Sequence, residues 1–276
     1  REGNEERLDT LRRRIAPLIL RRMKSLVASE LPPKTETTRL LALAGEQRDL
    51  YESIRIAAHG SLRAIVRKKG LASSIDVLGA LMKLRQLCCA PQLLPLEGAR
   101  HVETSAKLEE LSSMVPELLR QGRRILIFSQ FTSMLALIAQ RLQDLDLPYL
   151  ALTGSSQNRQ QLVDDFEGKK ADLFLISLKA GGTGLNLVSA DTVIHVDPWW
   201  NPAAQKQATD RAYRIGQERP VFVYHLIIAG SVEERMLRLQ RRKDALAEGL
   251  LNGSDHEGGL SAQEIEQLFA PLDQTS

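Results

Sequence analysis

The chain has 276 residues, 43% of them hydrophobic and 26% charged, with a formal net charge of +3, which suits one large domain or two modest ones. No run approaches the roughly 18 consecutive apolar residues of a membrane-spanning helix, and the opening REGNEERLDTLRRR has no apolar signal core, so an intracellular protein without membrane contact is expected. Charge is uneven: residues 1–102 hold 19 Lys/Arg against 11 Asp/Glu and residues 103–276 hold 18 against 23, so the basic half either meets a polyanion or is a solvated face.

From residue 7 to about 95 the pattern reads as helical, interrupted at ELPPKTE, where Pro32 and Pro33 stop a helix. In 46–69, Leu50, Ile54, Ala57, Ala58, Leu62 and Ile65 recur at three- and four-residue steps, a stripe for burial. A further helix near 74–89 carries Cys88 and Cys89, whose adjacency suits neither an ordinary disulfide nor a zinc site; they read as buried apolar residues in a reducing compartment. After a polar connection at 96–104 come five apolar runs, RILIF (124–128), PYLAL (148–152), DLFLIS (172–177), TVIHV (192–196) and VFVYHLI (221–227). They are continuous rather than alternating, and most are separated by helix-length segments, which predicts an α/β fold with a mostly parallel sheet covered on both faces. Helices are expected near 202–215, capped by Asn201 with Pro202 at the first position and Gly216 at the exit, near 231–249 and near 261–269. Ser231 with Glu234 and Ser261 with Glu264 have capping-box spacing, and 252–260 reads as a flexible linker.

Three segments can carry chemistry. AGGTGLNL (180–187) follows an apolar strand, and three glycines within four residues there either make a structural loop or let the backbone approach a phosphate; Lys179, Thr183 and Asn186 add polar groups. In QATDRAYRIGQ (207–217), Gln207, Arg211 and Arg214 stand at i, i+4 and i+7. Two guanidiniums on one face can grip a triphosphate; the plainer alternative is an exposed helix on which Asp210 pairs with Arg214. DPWWNP (197–202) holds both tryptophans, Trp199 and Trp200, either filling a strand-to-helix corner or offering an aromatic platform. Ser129 and Gln130 after RILIF, and Thr153 and Gly154 after PYLAL, lie at strand carboxyl ends on the same rim.

No Gly-x-x-x-x-Gly-Lys-Ser/Thr occurs, so the phosphate cradle and magnesium ligand of a complete nucleotide triphosphatase are missing. A nucleotide-binding enzyme of another class, such as one with a glycosyltransferase-like fold, would need a catalytic pair at the strand ends, and His195 lies within a strand. A solitary, non-catalytic module that binds DNA or a partner stays open.

In this order the segments resemble the C-terminal RecA-like lobe of Swi/Snf-type helicase-like ATPases, the family of chromatin remodellers and their prokaryotic relatives, from about residue 7 to 269. IAPLILRRMKSLVASELPPKTE (15–36) resembles the passage from a first lobe to a second, LMKLRQLCCAPQLL (81–94) a helix of the inserted helical region, and SAKLEEL (105–111) the lobe entry. RILIFSQFTSML, LTGSSQNRQQLVDDF, ISLKAGGTGLNLVSADTVIHVDPWWNPA and QATDRAYRIGQ resemble helicase motifs four, four-a, five and six. The resemblance implies a helical inter-lobe segment and protrusion at 1–101, a RecA-like lobe with a bracing helix at 102–250, and a linker with a short helix at 251–276. It implies Arg211 and Arg214 as arginine fingers on ATP, with Gln207, Gly182 and Gly184 beside the nucleotide. Ser129, Gln130, Thr153, Gly154, Lys179, Gly181, Thr183, Asn186 and Trp200 then face double-stranded DNA. ATP and its magnesium would be held mainly by an N-terminal lobe, without which this chain is expected to be an inactive, monomeric half, cytoplasmic and nucleoid-associated. Tyr213 departs from the histidine frequent in relatives.

Overall fold

The computed structural model describes residues 31–69, 74–181, 184–249 and 262–272, so the helix expected upstream of residue 31, the linker 252–260 and the Ser261 cap lie outside it. Six parallel strands form one sheet: β1 (Lys34–Leu41), β2 (Ile125–Ser129), β3 (Leu150–Leu152), β4 (Leu173–Ser177), β5 (Thr192–His195) and β6 (Val221–Ile228), in the spatial order β1-β6-β5-β2-β4-β3. Around it lie α1 (Gly45–Lys69), α2 (Ser74–Cys89), α3 (Glu97–Arg100), α4 (Ala106–Arg120), α5 (Thr132–Asp144), α6 (Arg159–Glu167), α7 (Leu178–Gly181), α8 (Pro202–Thr209), α9 (Val232–Gly249) and α10 (Ala262–Leu268).

The five apolar runs are strands β2 to β6, and β2, β4 and β5 are buried along their whole length. Continuous hydrophobicity has its cause in the layering. Ile125, Ile127, Leu173, Leu175 and Ile194 pack with Leu108, Leu111 and Val115 of α4 and Leu135 and Ile138 of α5. Leu126, Phe128, Phe174, Ile176 and Val193 meet Val163 and Phe166 of α6 and Ala208 of α8 on the opposite face. Register keeps the sets apart, with Leu126 beside both Phe174 and Val193. Each such side chain contributes about 1.5–3 kcal/mol by leaving water.

Strand β1 corrects the reading of 7–95 as helical. It pairs in parallel with β6, and Pro33 and Leu41 carbonyls accept from the N–H groups of Val221 and Ala229. As an edge strand exposed over six of its eight residues it shows no apolar run, so KTETTRLL betrays itself only by its threonines.

The stripe expected on α1 is also shifted. Its buried line is Gln47, Tyr51 and Arg55, while Leu50, Ile54 and Ala58 are partly buried and Ala57 is exposed; the side chains of Leu62 and Ile65 are outside the described set. Long polar side chains bury here because each finds a backbone partner. Gln47 Nε2 donates to the Leu87 carbonyl at 2.8 Å, and its Oε1 accepts from Ala106 N–H at 3.0 Å. The Tyr51 hydroxyl accepts from Val232 N–H at 2.9 Å, and Arg55 donates to the Phe269 carbonyl at 3.1 Å. Helix α1 is thereby fastened to α2, α4, α9 and the end of α10.

Cys88 and Cys89 are fully buried free thiols on α2, and burial pushes both pKa values up. Asn201 caps α8 by accepting from Ala203 N–H, with Pro202 in the first turn. At the start of α9, Glu234 accepts from Gly230 N–H at 2.7 Å and Ser231 Oγ from Glu233 N–H at 3.1 Å, so both residues cap the helix, each bonded one position away from the reciprocal Ser231–Glu234 pair that the spacing predicts. Among the described residues no helix is long and apolar enough to cross a membrane.

Candidate functional site

Parallel pairing puts every strand's carboxyl end on one edge. The chain leaves β2 for the face covered by α5 but leaves β3 and β5 for the face covered by α6 and α8, the divergence that opens a crevice at such an edge. Of the residues expected there, Gly154, Lys179, Gly184 and Asn186 are exposed and Thr153 is half-buried. The Thr153 N–H donates to Ser156 Oγ at 2.9 Å, while Thr153 Oγ1 lies 3.0 Å from Ser155 Oγ, so this turn is closed by its own hydroxyls.

Ser129 is fully buried; its hydroxyl donates to Asp197 at 2.5 Å and accepts from Phe131 N–H at 3.1 Å, so it holds the loop from within. Gln130 is half-buried, its N–H shared between both Asp197 oxygens at 3.3 Å. The glycine stretch begins inside a helical turn, α7, rather than a loop. Gly181 is required by packing: a Cβ there would come 2.9 Å from Phe128 Cε1. Gly184, at φ +55°, has open space where a side chain would stand. Gly182 and Thr183 lie outside the described residues.

The helix expected to 215 stops at Thr209. Beyond it Arg211 N–H donates to the Ala208 carbonyl, and Ala212 and Tyr213 N–H groups both donate to that of Thr209, so the chain tightens into turns and the one-face array of Gln207, Arg211 and Arg214 is lost. The cause is tertiary. The buried Gln217 amide donates to the carbonyls of Val188, Ala190 and Ala212 at 2.9, 2.7 and 3.1 Å, and Leu187 N–H donates to the Arg211 carbonyl. Gly216, at φ +101°, permits the reversal.

The charge of Arg214 nevertheless reaches Arg211. Burial, then the charge of Arg214, lowers the Arg211 pKa against the opposing pull of Asp210. Arg211 is only 8% exposed; its Nη1 donates to the Leu185 carbonyl at 3.4 Å, and its Nε finds no partner among the described residues. Arg214 and Gln207 are exposed.

Residues 106–216 match the helicase conserved C-terminal domain and residues 1–93 match the SNF2-related domain. The chain belongs to the Swi/Snf family of helicase-like ATPases. It is 37% identical, over 98% of its own length, to a putative ATP-dependent helicase/translocase, YwqA, of Bacillus subtilis, and spans 30% of that relative. It is similar to the Sulfolobus solfataricus SWI2/SNF2 ATPase core in complex with double-stranded DNA, with a TM-score of 0.66 and 33% identity, covering 86% of this chain and 50% of that one. The C-terminal domain of the Sulfolobus ATPase aligns with a TM-score of 0.68 and 26% identity over 88% of this chain and 100% of its own.

Within this Swi/Snf lobe the two tryptophans divide. Trp199 packs partly buried against the second core, while Trp200 is 38% exposed, with the Arg85 guanidinium 5.8 Å from its ring centroid. Beneath them lie charges that the sequence reading missed. Lys107 and Glu233, both with fully buried side chains, pair at 2.7 Å. Burial works against the Lys107 charge, but Glu233 and the neighbouring Cys89 and Cys88 together raise the pKa. Burial raises the pKa of Asp197, opposed by the Ser129 hydroxyl, Lys107 and Arg85. A signal was present: Lys107 stands four residues before Leu111, and Arg85 four after Leu81, both on apolar stripes.

His195, the last residue of β5, is buried, bonded through Nε2 to Thr209 Oγ1 at 2.8 Å and stacked between Phe128 and His225. It lines a cavity of about 250 Å³ with Glu36, Asp197, Gln205, His225 and Arg241. Among the described residues no group of three or more His, Cys, Asp or Glu is placed to hold a metal ion.

Proposed function

We propose that this chain is the C-terminal half of an ATP-dependent double-stranded DNA translocase, supplying Arg211 and Arg214 as arginine fingers and part of the DNA track, and inactive as an ATPase without an N-terminal lobe. The observation that carries the reading is the buried Arg211, whose Nε has no partner among the described residues and which feels the charge of exposed Arg214. A buried, unsatisfied cation costs free energy that an anion relieves, and two adjacent guanidiniums match the forked oxygens of a terminal phosphate.

ATP brings the charged phosphoryl group; Arg211 and Arg214 bind and orient it, with Gln207, Gly182 and Gly184 beside the nucleotide. Magnesium is held by the first lobe. Gln130, Thr153, Gly154, Lys179, Thr183, Asn186 and Trp200 face the duplex, while Ser129 and Gly181 support that surface from behind. The Arg211 bond to the Leu185 carbonyl ties the arginines to the tail of the glycine stretch, so that movement at one accompanies movement at the other. The DNA-bound Sulfolobus core and the basic charge of residues 1–102 support the duplex partner. The protein then acts as a monomer at the nucleoid.

The test is hydrolysis by the purified chain with and without duplex DNA, repeated after adding a separately produced first lobe. Silence alone followed by DNA-stimulated turnover on mixing is expected. Hydrolysis by the chain alone, proportional to its concentration and abolished by Arg211→Ala, would overturn the half-site reading.

A further inference from the structure

Consider how the segment from Val196 to Trp200 is held. The Val196 carbonyl accepts from Lys107 Nζ at 2.7 Å, and the Pro198 carbonyl from Arg85 Nη2 at 2.5 Å. Gln240 Nε2 donates to the Trp199 carbonyl at 2.9 Å and to the Trp200 carbonyl at 2.8 Å. The Asp197 carboxylate accepts from Ser129 and Gln130, and Trp199 N–H donates to Gln205 Oε1 at 3.1 Å. The fastenings come from α2, α4, α8, α9 and the end of β2, while the segment's one exposed aromatic ring, Trp200, sits on the rim.

Ordinary loop closure does not require this. A strand-to-helix loop at a surface satisfies its carbonyls with water, and α8 already has its own cap in Asn201. Gln240 spends both amide protons on two successive carbonyls, from a site 40 residues away on another helix. Arg85 adds its guanidinium near the Trp200 ring on one side and the Phe131 ring, 5.9 Å away, on the other.

We infer that Gln240 of α9 and Arg85 of α2 are positioning residues for Trp200, fixing the indole from its backbone and its ring so that it meets duplex DNA without first being ordered. This rests on the proposed reading of Trp200 as a DNA-facing group. Preorganisation raises affinity by removing the entropy of ordering a side chain on binding, and an aromatic ring held at one angle engages a groove or base step without searching rotamers. It also makes α9 the element whose displacement moves the ring, because Gln240 grips the residue that carries it.

Trp199 and Trp200 are the only tryptophans, so emission excited selectively in tryptophan reports this loop alone. Gln240→Glu places carboxylate oxygens against two carbonyls, whereas Gln240→Met removes the donors without adding repulsion. Measured on the purified chain, Gln240→Glu is expected to shift emission to longer wavelength and raise acrylamide quenching at least twofold, with Gln240→Met intermediate and far-ultraviolet circular dichroism unchanged. In the protein joined to its first lobe, Gln240→Glu is expected to weaken duplex binding about tenfold, the order of one ordered aromatic contact. In a Trp200→Ala background the same change should cost nothing further, which a general packing defect would not mimic.

Unchanged emission and quenching in both Gln240 variants would overturn the inference whatever the DNA result. An additive loss in the Trp200→Ala background would overturn it too, by placing the effect elsewhere. If Trp200→Ala leaves duplex affinity intact, the DNA-facing reading of Trp200 falls, and the emission data decide separately whether the clamp exists.

Discussion

Lys107 and Arg211 both bury a positive charge, and they treat it differently. Lys107 lies at zero exposure with all of its environment answered, by Glu233 at 2.7 Å and the Val196 carbonyl. Arg211 is nearly as buried, but among the described residues its side chain donates at 3.4 Å to a carbonyl and its Nε has no partner, while Arg214 opposes its charge and Asp210 favours it. The first arrangement joins α4, α9 and the end of β5 and asks nothing of a ligand. The second leaves a cost that the phosphate of the proposed nucleotide contact would relieve. Substitutions should separate the two.

The largest effect is expected at the arginines. Arg211→Ala or Arg214→Ala in the full-length protein should lower ATP turnover about a thousandfold or more while leaving duplex affinity nearly intact. Melting should change little, since Arg211 contributes one long bond. Steady-state hydrolysis with DNA binding by anisotropy checks this. A variant that lost DNA binding but kept turnover would erase the contrast.

Lys107→Met should do the reverse, destabilising the chain by about 3–5 kcal/mol, because it strands the fully buried Glu233. Lys107→Met combined with Glu233→Met removes both charges and should recover most of that loss. Urea unfolding of the two variants decides it; equal destabilisation by the single and double variants would mean that packing, rather than charge pairing, is what Lys107 supplies.

His195 tests a third way of burying a titratable group, leaving it neutral. Burial, reinforced by the His225 charge and opposed by Glu36, holds its pKa well below 6.5. The unfolded chain takes up that proton near pH 6.5 and the folded chain does not, so stability is full above about pH 6.5 and falls below it, by at most about 1.4 kcal/mol per pH unit. Glu36, brought to about 2 chiefly by its hydrogen bond to His225 and also by Lys34, loses its contribution only below about pH 4.5, which separates the windows. Urea midpoints at pH 7.5 and 5.5 should differ in the wild type and converge in His195→Gln.

The site was legible where chemistry is local. Glycines after an apolar strand, paired arginines and the double tryptophan mark themselves by residue type and neighbourhood, and Lys179, Gly154 and Asn186 are exposed beside strand ends as those patterns imply. It was illegible where a side chain answers to something remote. Ser129 looks like a rim hydroxyl until Asp197, 68 positions on, accepts its hydrogen bond. The periodicity of 207–215 predicts a continuous helix, but it ends at Thr209, where the following turns are held by Gln217 on Val188 and Ala190 and by Leu187 N–H on the Arg211 carbonyl. Gln240, exposed-looking on a charged helix, gives no signal of its grip on the tryptophans.

The amino-acid sequence by itself determined the five apolar strands, three of them buried throughout, their parallel arrangement and the helix starts at Asn201 and Ser231, because apolar runs and capping are written in short-range pattern. Tertiary structure alone decided that KTETTRLL joins the sheet as its edge, that Gln47, Tyr51 and Arg55 rather than the apolar stripe lead α1 inward, and that Lys107 sits in the core. Each of these rests on a hydrogen bond or ion pair with a partner distant in the chain, and a polar residue's burial is favourable only once that partner is in place.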